Sequence, residues 1–245
     1  MPRSPRAWRR AVLVGLILLP SYAAVAYVVA PAAWARYERR RPVRGAAGIT
    51  YTAERIPADP LNVALVGKRA ELARAMEEAG WVETDRICLR SGLRVAGSIM
   101  FHRPYARAPV STHYLWERPQ DLAFERIVDG SPRCRHHVRF WRARGPAGAG
   151  EVWIGAASYD RTLGFSHYTG ELMHHIDAEV DEERRTLFED LTRAFRLAKI
   201  DRVPEFRPAG AGVNGGGDAY RTDGALWIGY LSPVELSRPA ASRSR

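Results

Sequence analysis

Four strand-like segments follow one another between residues 111 and 159, and this series constrains the fold most. They cover about 111–117, 120–128, 134–143 and 151–159, and turn-forming residues separate them. The flexible segment RGPAGAG at 144–150 joins the last two as a hairpin loop. Short connections of this kind join antiparallel strands. The sequence therefore predicts a sheet that is mostly antiparallel.

Helical segments surround this series. Apolar spacing predicts helices over 68–80, 86–101 and 180–198, and further strands over 61–67, 198–206 and 224–231. Such an order of elements is typical of an α+β fold. We expect one mostly antiparallel or mixed sheet, with two or three helices packed against one side.

Residues 11–35 form a run of 25 residues without a charged side chain. A helix needs about 20 apolar residues to cross a bilayer. We therefore expect a single N-terminal transmembrane helix over 11–35 that follows a basic tail over 1–10. A cleaved signal peptide is the alternative, with a small-residue site at 30–32 or 33–35. The length of the run and the arginines after it favour the uncleaved anchor.

The arginines beside this run bear on location and partners. Four precede it and five follow it, so the positive-inside rule does not decide its orientation. The short N-terminal tail favours a single-pass protein of the cell membrane with its main domain on the extracytoplasmic side. Anionic lipid headgroups are the partners expected near Arg36, Arg39, Arg40 and Arg41. Membrane proteins are further candidate partners.

The net charge of +10 is unevenly distributed. Residues 1–44 contain nine Arg and one acidic residue, whereas residues 45–236 contain 25 basic and 26 acidic residues. The main domain is therefore not basic, which argues against nucleic-acid binding. Two cysteines are too few for a disulfide framework or a zinc ribbon. We place an Arg- and Pro-containing linker at 36–59, the α+β domain at 60–232 and a flexible basic tail at 233–245.

The segment SPRCRHHVRFWRAR at 131–144 combines five Arg and two His with no acidic residue. In a strand, His137, Arg139 and Trp141 share one face, while His136 and its alternate neighbours share the other, apolar face. Arginine matches a phosphate group with two parallel hydrogen bonds, so the first face could bind an anion through Arg139 and Arg135. A solvated strand with cross-strand ion pairs is the alternative.

The segment ELMHHIDAEVDEER at 171–184 suggests either a helix start or a reactive site. Its acidic residues from Glu179 onward suit the first turns of a helix, with Asp177 as the N-cap. His175 and Asp177, two residues apart, could instead form an acid/base pair or chelate a metal. A divalent metal site would draw its ligands from two histidine pairs and this aspartate: His136, His137, His174, His175 and Asp177.

The segment NGGGDAYRTDG at 214–224 contains three consecutive glycines. Backbone N–H groups in such a loop can cradle an oxyanion. The binding candidates in this loop are Asn214, Gly215, Gly216, Gly217 and Asp218. No strand–loop–helix pattern surrounds them, so neither a P-loop nor a dinucleotide fingerprint is present. A flexible turn before the last strand is the alternative.

In this order, PLNVALVG, RPYARAPVS, RPQDLAFE, SPRCRHHVRFW, HHIDAEVDEER and NGGGDAYRTDG resemble the LssY C-terminal domain family over about 60–231. LssY itself is assigned to type I secretion, and the resemblance implies membrane association but no particular catalytic residues. The chain departs from the family pattern at Cys134, where an Arg is expected, and at Ala178, where a Pro is expected.

Together these features predict a membrane-anchored binding or accessory module of a bacterial-type cell envelope. It would recognise phosphorylated or lipid-linked ligands through His137, Arg139 and residues 214–218. The alternative is a hydrolase of phosphorylated or lipid substrates in which His175 and Asp177 are the acid/base residues or metal ligands.

Overall fold

The computed structural model describes residues 5–30, 33, 48–53, 55–85, 110–128, 131–143, 150–167, 170 and 172–232. The helices in these ranges are α1 (Pro5–Ala24), α2 (Arg69–Glu78) and α3 (Val180–Arg193). The strands are β1 (Ile49–Tyr51), β2 (Pro57–Pro60), β3 (Val63–Val66), β4 (Val82–Glu83), β5 (Tyr114–Leu115), β6 (Arg118–Pro119), β7 (Leu122–Val128), β8 (Ser131–Ala143), β9 (Val152–Phe165), β10 (Leu172–Ile176), β11 (Leu197–Val203), β12 (Gly210–Val213), β13 (Ala219–Thr222) and β14 (Leu226–Leu231). The helix predicted over 86–101 lies outside the described residues.

An eight-stranded mixed sheet forms the centre of the domain. Its order is β11-β14-β3-β9-β8-β7-β4, and β10 pairs with β9 beside this path. Neighbouring strands are antiparallel except β14 and β3, which are parallel. The first part of β9 pairs with β3 and its last part pairs with β10, so one long strand supports both. The predicted α+β fold with a mostly antiparallel sheet is confirmed.

Helices α2 and α3 cover one face of the main sheet. Leu72 and Met76 of α2 and Leu187 of α3 are buried in one cluster with Phe124 of β7 and Phe140 of β8. Burying an apolar side chain of this size contributes about 1.5–3 kcal/mol. Because side chains alternate along β8, Val138 and Phe140 both face this helix-covered core.

The opposite face of the main sheet is also buried. A second, four-stranded sheet in the order β2-β1-β5-β6 covers it, and Leu61, Leu115, Trp141 and Ala156 pack together between the two layers. Trp141 is fully buried and its indole N–H donates to the carbonyl of Arg118 at 3.2 Å. The β8 face that the sequence suggested as a surface for ligands is therefore enclosed between two sheets.

Residues 5–30 of the N-terminal segment are helical. Helix α1 begins at Pro5, so the arginines at 6, 9 and 10 lie within it, and its α-helical part ends at Ala24 before a five-residue π-helix, Val25–Val29. Within the described residues, no helix combines the length and the apolar content needed to cross a membrane. Residues 31, 32, 34 and 35 of the transmembrane helix predicted over 11–35 lie outside the described ranges.

Candidate functional site

Strand β8 places three predicted ligand-binding side chains on its enclosed face. The exposed fractions of Arg135, His137 and Arg139 are only 7%, 2% and 4%. His136 points to the helix-covered face, where its Nδ1 lies 2.6 Å from Oε2 of Glu183 on α3. Side chains alternate in a strand, so the two adjacent histidines belong to different environments.

Asp160 of β9 lies at the centre of a network of buried charges. Its Oδ2 accepts a hydrogen bond from Nε of Arg135 at 2.8 Å, and its Oδ1 lies 2.9 Å from Nε2 of His137. Nη1 of Arg135 also donates to Oε2 of Glu125 at 2.8 Å. Buried charges are tolerated when they are paired in this way.

The network continues into the second sheet. Nη1 of Arg139 donates to Oδ2 of Asp59 on β2 at 2.8 Å, and Nε of Arg139 donates to the carbonyl of Ser111 at 3.0 Å. The same Asp59 oxygen lies 3.5 Å from Nδ1 of His113, which in turn lies 3.3 Å from the hydroxyl of Thr50. The two layers are therefore joined by ion pairs as well as by apolar packing.

Arg139 fixes the tautomer of His137. Its Nη1 lies 3.1 Å from Nδ1 of His137. A guanidinium group can only donate, so Nδ1 must carry the lone pair and the proton must be on Nε2. Nε2–H then donates to Asp160, so both ring nitrogens of His137 are engaged in this network.

The protonation of the other groups follows from burial and charge. Burial by itself raises the pKa of Asp160, but the electrostatic interaction and hydrogen bond with His137, followed by the charge of Arg135, hold that pKa well below its usual range. Burial, helped by the charge of Arg139, lowers the pKa of His113 well below its ordinary value. At neutral pH the site therefore contains an ionised Asp160 and a neutral His113.

A cavity of about 360 Å³ opens onto this network. Arg135, His137 and Arg139 line it together with His174 of β10 and residues 214–216. Its apolar wall includes Ile56, Met173 and Ile176. This size and this mixture of apolar and polar groups are typical of small-molecule sites.

Both arginines keep a donor group for a ligand. The hydrogen bonds that Arg135 makes to described residues use Nε and Nη1, and the same is true of Arg139. Nη2 of neither guanidinium is used in these hydrogen bonds. Because the other nitrogens are tied to carboxylates and a carbonyl, both groups are held in fixed orientations.

The glycine loop at 214–218 is the turn of the β12–β13 hairpin. Oδ1 of Asn214 accepts hydrogen bonds from the N–H groups of Gly216 at 3.0 Å and Asp218 at 2.9 Å, and the carbonyl of Asn214 accepts from Gly217 at 3.0 Å. These N–H groups are used inside the loop, so the predicted oxyanion cradle is not available from them. The loop instead forms a wall of the cavity. A Cβ on Gly216 would overlap Cε of Met173, so the flexible end of Met173 would have to move for a larger residue there.

A second polar cluster lies at the far end of this loop. Nδ1 of His175 is 2.7 Å from Oδ1 of Asp218, whose Oδ2 accepts the N–H of Ile176 at 3.2 Å. The rings of His175 and His167 are 5.4 Å apart between centroids. One ligand atom from each of His167, His175 and Asp218 lies within 4.8 Å of the others.

The model of the family described as LssY C-terminus matches residues 40–226, which is more than half of the chain. The chain belongs to the LssY C-terminus family. The matched residues contain both the cavity network and the histidine–aspartate cluster. No curated protein and no solved structure matches the chain significantly.

In this LssY C-terminus domain, Asp177 is not the partner of His175. Its Oδ1 accepts the N–H of Glu179 at 2.9 Å, just before α3, and Glu179 rather than Asp177 is the N-cap. The predicted acid/base pair is therefore not formed. Glu183, which the sequence assigned only to the charge pattern of the helix start, points inward, and burial raises its pKa.

The metal site predicted from both histidine pairs is not formed either. Its members occupy separate places because neighbouring residues of β8 and β10 point in different directions. His137 and His174 line the cavity, His136 faces α3, and His175 lies beside Asp218. Asp177 accepts the N–H of Glu179 just before α3.

Sequence reasoning did not identify Asp59 and His113 as parts of the site. The available signal was indirect: buried arginines on a segment without acidic residues must take their counter-charges from other strands. Asp59 lies in the segment PADP and His113 in STHY. Neither segment has a pattern that distinguishes it from an ordinary edge strand or loop.

Proposed function

We propose that this domain is a binding module for a phosphate-bearing ligand that occupies the cavity. The observation that supports this proposal is the convergence of Arg135, His137 and Arg139 on one cavity, with Nη2 of each arginine left as a donor. Planar guanidinium groups match phosphate oxygens in geometry as well as in charge. Ile56, Met173 and Ile176 would contact an apolar substituent of the ligand.

The charges of the cavity lining favour a phosphodiester over a dianion. The lining contains two arginines, Arg135 and Arg139, and two aspartates, Asp59 and Asp160. Each aspartate accepts a hydrogen bond from one of these arginines. A ligand with one negative charge can accept hydrogen bonds from the remaining donors. A second negative charge on the ligand would add repulsion from the two carboxylates.

The hydrolase alternative has less support. It required His175 and Asp177 to act together, and Asp177 accepts a backbone hydrogen bond at the start of α3 instead. His137, the histidine beside both arginines, is held between Arg139 and Asp160 by both of its ring nitrogens. A general base needs a free nitrogen within reach of the substrate, so binding suits this arrangement better.

Replacing Arg139 by lysine is expected to weaken binding of a soluble phosphodiester by tenfold or more. Lysine keeps the positive charge beside Asp59 but loses the fixed guanidinium fork, so the ion pair survives while the donor toward the cavity is lost. The measurement is calorimetric titration of the full-length chain with dihexanoyl phosphatidylglycerol below its micelle concentration. Parallel titrations use inorganic phosphate and uncharged dihexanoyl glycerol.

Arg142→Lys is the matched control, because Arg142 lies on the same strand with its side chain 58% exposed and paired with Glu151. Its affinity should equal that of the wild type. Saturable binding of the phosphatidylglycerol but not of inorganic phosphate would identify a lipid-type diester as the ligand class. The proposal fails if no phosphate-bearing probe binds the wild type, or if folded Arg139→Lys binds as the wild type does.

We also propose that the N-terminal segment attaches the domain to the cell membrane, with the domain on the extracytoplasmic side. Support comes from the uncharged run over 11–35 and from α1, where Leu16, Ile17 and Leu19 have exposed fractions of 66%, 65% and 73%. Exposed apolar patches of this kind mark interaction sites. Arginines on both sides of the run would contact anionic headgroups.

Membrane attachment predicts that the full-length chain sediments with membranes and remains there after a high-salt wash. Replacing Leu16, Ile17 and Leu19 together by serine should release most of the protein, because the apolar contacts with lipid are lost. Leu72→Ala, a change in the domain core, serves as the control and should not alter the membrane fraction of folded protein. Recovery of the wild type in the salt wash would contradict apolar attachment.

A further inference from the structure

His167, His175 and Asp218 form a compact group outside the cavity network. One nitrogen or oxygen atom of each lies within 4.8 Å of the others. They come from three different parts of the chain: the end of β9, strand β10 and the turn between β12 and β13. None of the three lines the cavity described above.

Two glycines allow the imidazole rings to occupy these positions. A Cβ on Gly164 would lie 2.7 Å from Nε2 of His175, and a Cβ on Gly217 would lie 2.7 Å from Cβ of His167. Any larger residue would displace the rings. The side chain of Asn214 fixes the loop that carries Asp218, so the carboxylate is also held in place.

The contacts of His175 select the nitrogen that could bind a metal. Nε2 lies against Gly164, whereas Nδ1 lies 2.7 Å from Oδ1 of Asp218. A carboxylate only accepts, so without metal Nδ1–H donates to Asp218. The other oxygen of Asp218 accepts the N–H of Ile176 at 3.2 Å, which orients the carboxylate.

We propose that His167, Nδ1 of His175 and Asp218 bind a divalent transition metal of the Zn²⁺ type. Two imidazoles and one carboxylate suit zinc, whereas Mg²⁺ and Ca²⁺ prefer all-oxygen sets. The metal takes the place of the proton that Nδ1 donates to Asp218, and that proton leaves to the solvent. Because His167 is exposed, a fourth position remains open to water.

The metal site and the phosphate-binding cavity are independent proposals. They are neighbours on strand β10 and on the hairpin turn, since His174 and residues 214–216 line the cavity whereas His175 and Asp218 belong to the metal site. A zinc titration needs no ligand in the cavity. Its result therefore does not depend on whether the cavity binds a phosphodiester.

The test is a titration of the untagged, chelator-treated full-length chain with Zn²⁺ in competition with a chromogenic chelator. The wild type should bind one Zn²⁺ per chain at this site. His167→Ala should weaken that binding by tenfold or more, and because this side chain is exposed, the variant should fold normally. Asp218→Asn, which keeps the size of the side chain but removes its charge, should weaken it as well.

Asp177→Asn is the matched control, because Asp177 lies two residues from His175 and its Oδ1 already accepts the N–H of Glu179. Asparagine can accept the same hydrogen bond, so zinc affinity should not change. Co²⁺ should give visible d–d absorption bands that His167→Ala removes. The proposal is overturned if the wild type does not retain Zn²⁺ against the chelator, or if folded His167→Ala binds it equally tightly.

Discussion

Replacing Asp160 by alanine is expected to lower the free energy of unfolding by about 3–5 kcal/mol, because it leaves buried charge without a partner. Asp160 is 3% exposed and is hydrogen-bonded to both Arg135 and His137. Its removal leaves the guanidinium of Arg135 with only Glu125 as a counter-charge and orphans the Nε2–H of His137. The loss should therefore be far larger than for a surface ion pair.

Urea denaturation of the full-length chain, followed by tryptophan fluorescence, measures this loss. Asp160→Asn separates charge from shape, since asparagine keeps one acceptor oxygen. The free energy of unfolding of this variant should lie between those of the wild type and Asp160→Ala. Glu117→Ala removes an exposed ion pair with Arg55 and should leave the denaturation midpoint nearly unchanged. A surface ion pair contributes roughly 1 kcal/mol or less. If Asp160→Ala lowers the free energy of unfolding by no more than that, the buried charge network does not stabilise the fold as described.

The carboxyl group of Asp160 also makes the stability of the fold depend on pH in a definite direction. The pKa of Asp160 is lower in the folded chain than in the unfolded chain, so the folded state favours the ionised carboxyl. Its contribution is complete above the unfolded pKa of about 3.9 and is lost as the pH falls through the folded pKa. The difference in stability between the wild type and Asp160→Asn should thus be constant from about pH 7 to pH 5 and narrow below about pH 4.

Replacing Gly155 by alanine is expected to cost about 3 kcal/mol, near the upper end for overpacking a core. A Cβ at this position of β9 would lie 2.6 Å from the carbonyl oxygen of Arg139 and 2.7 Å from the ring of Phe140. The carbonyl belongs to the backbone of a central strand and cannot rotate away. Strand β8 must therefore shift where Arg139 enters the cavity, so affinity for the soluble phosphodiester should fall too.

The matched control for this prediction is Gly15→Ala in helix α1, where an added Cβ meets nothing within 4 Å. Alanine is favoured over glycine in a helix, so this change should leave stability equal or slightly higher. Thermal unfolding and the phosphodiester titration together give both readouts. If Gly155→Ala unfolds at the wild-type temperature, the close packing of β8 on β9 is not as described.

Local sequence patterns were sufficient to predict the helices and strands, but not which residues from different elements contact one another. Period-two alternation in SPRCRHHVRFWRAR predicted that His137 and Arg139 would lie opposite to His136, and β8 places them so. Helical spacing likewise predicted α2 and the inward face of α3. These predictions hold because side-chain direction depends on the backbone period alone.

The membrane-spanning prediction used composition without helix geometry. The uncharged run from Ala11 satisfied the length rule. In the structure, helix α1 begins at Pro5 and is followed directly by the π-helix Val25–Val29, and no helix among the described residues has the length and apolar content to cross a membrane.

By itself, the sequence determined the family, the α+β class, the alternation of β8 and the presence of uncompensated arginines on one strand. Only the tertiary structure decided that Asp59 and Asp160 neutralise those arginines, that Asp218 rather than Asp177 holds His175, and that the binding face is enclosed by a second sheet. The physical reason is that a counter-charge for a buried arginine can come from any strand that reaches it. For Arg139 that residue is Asp59, 80 positions earlier in the chain.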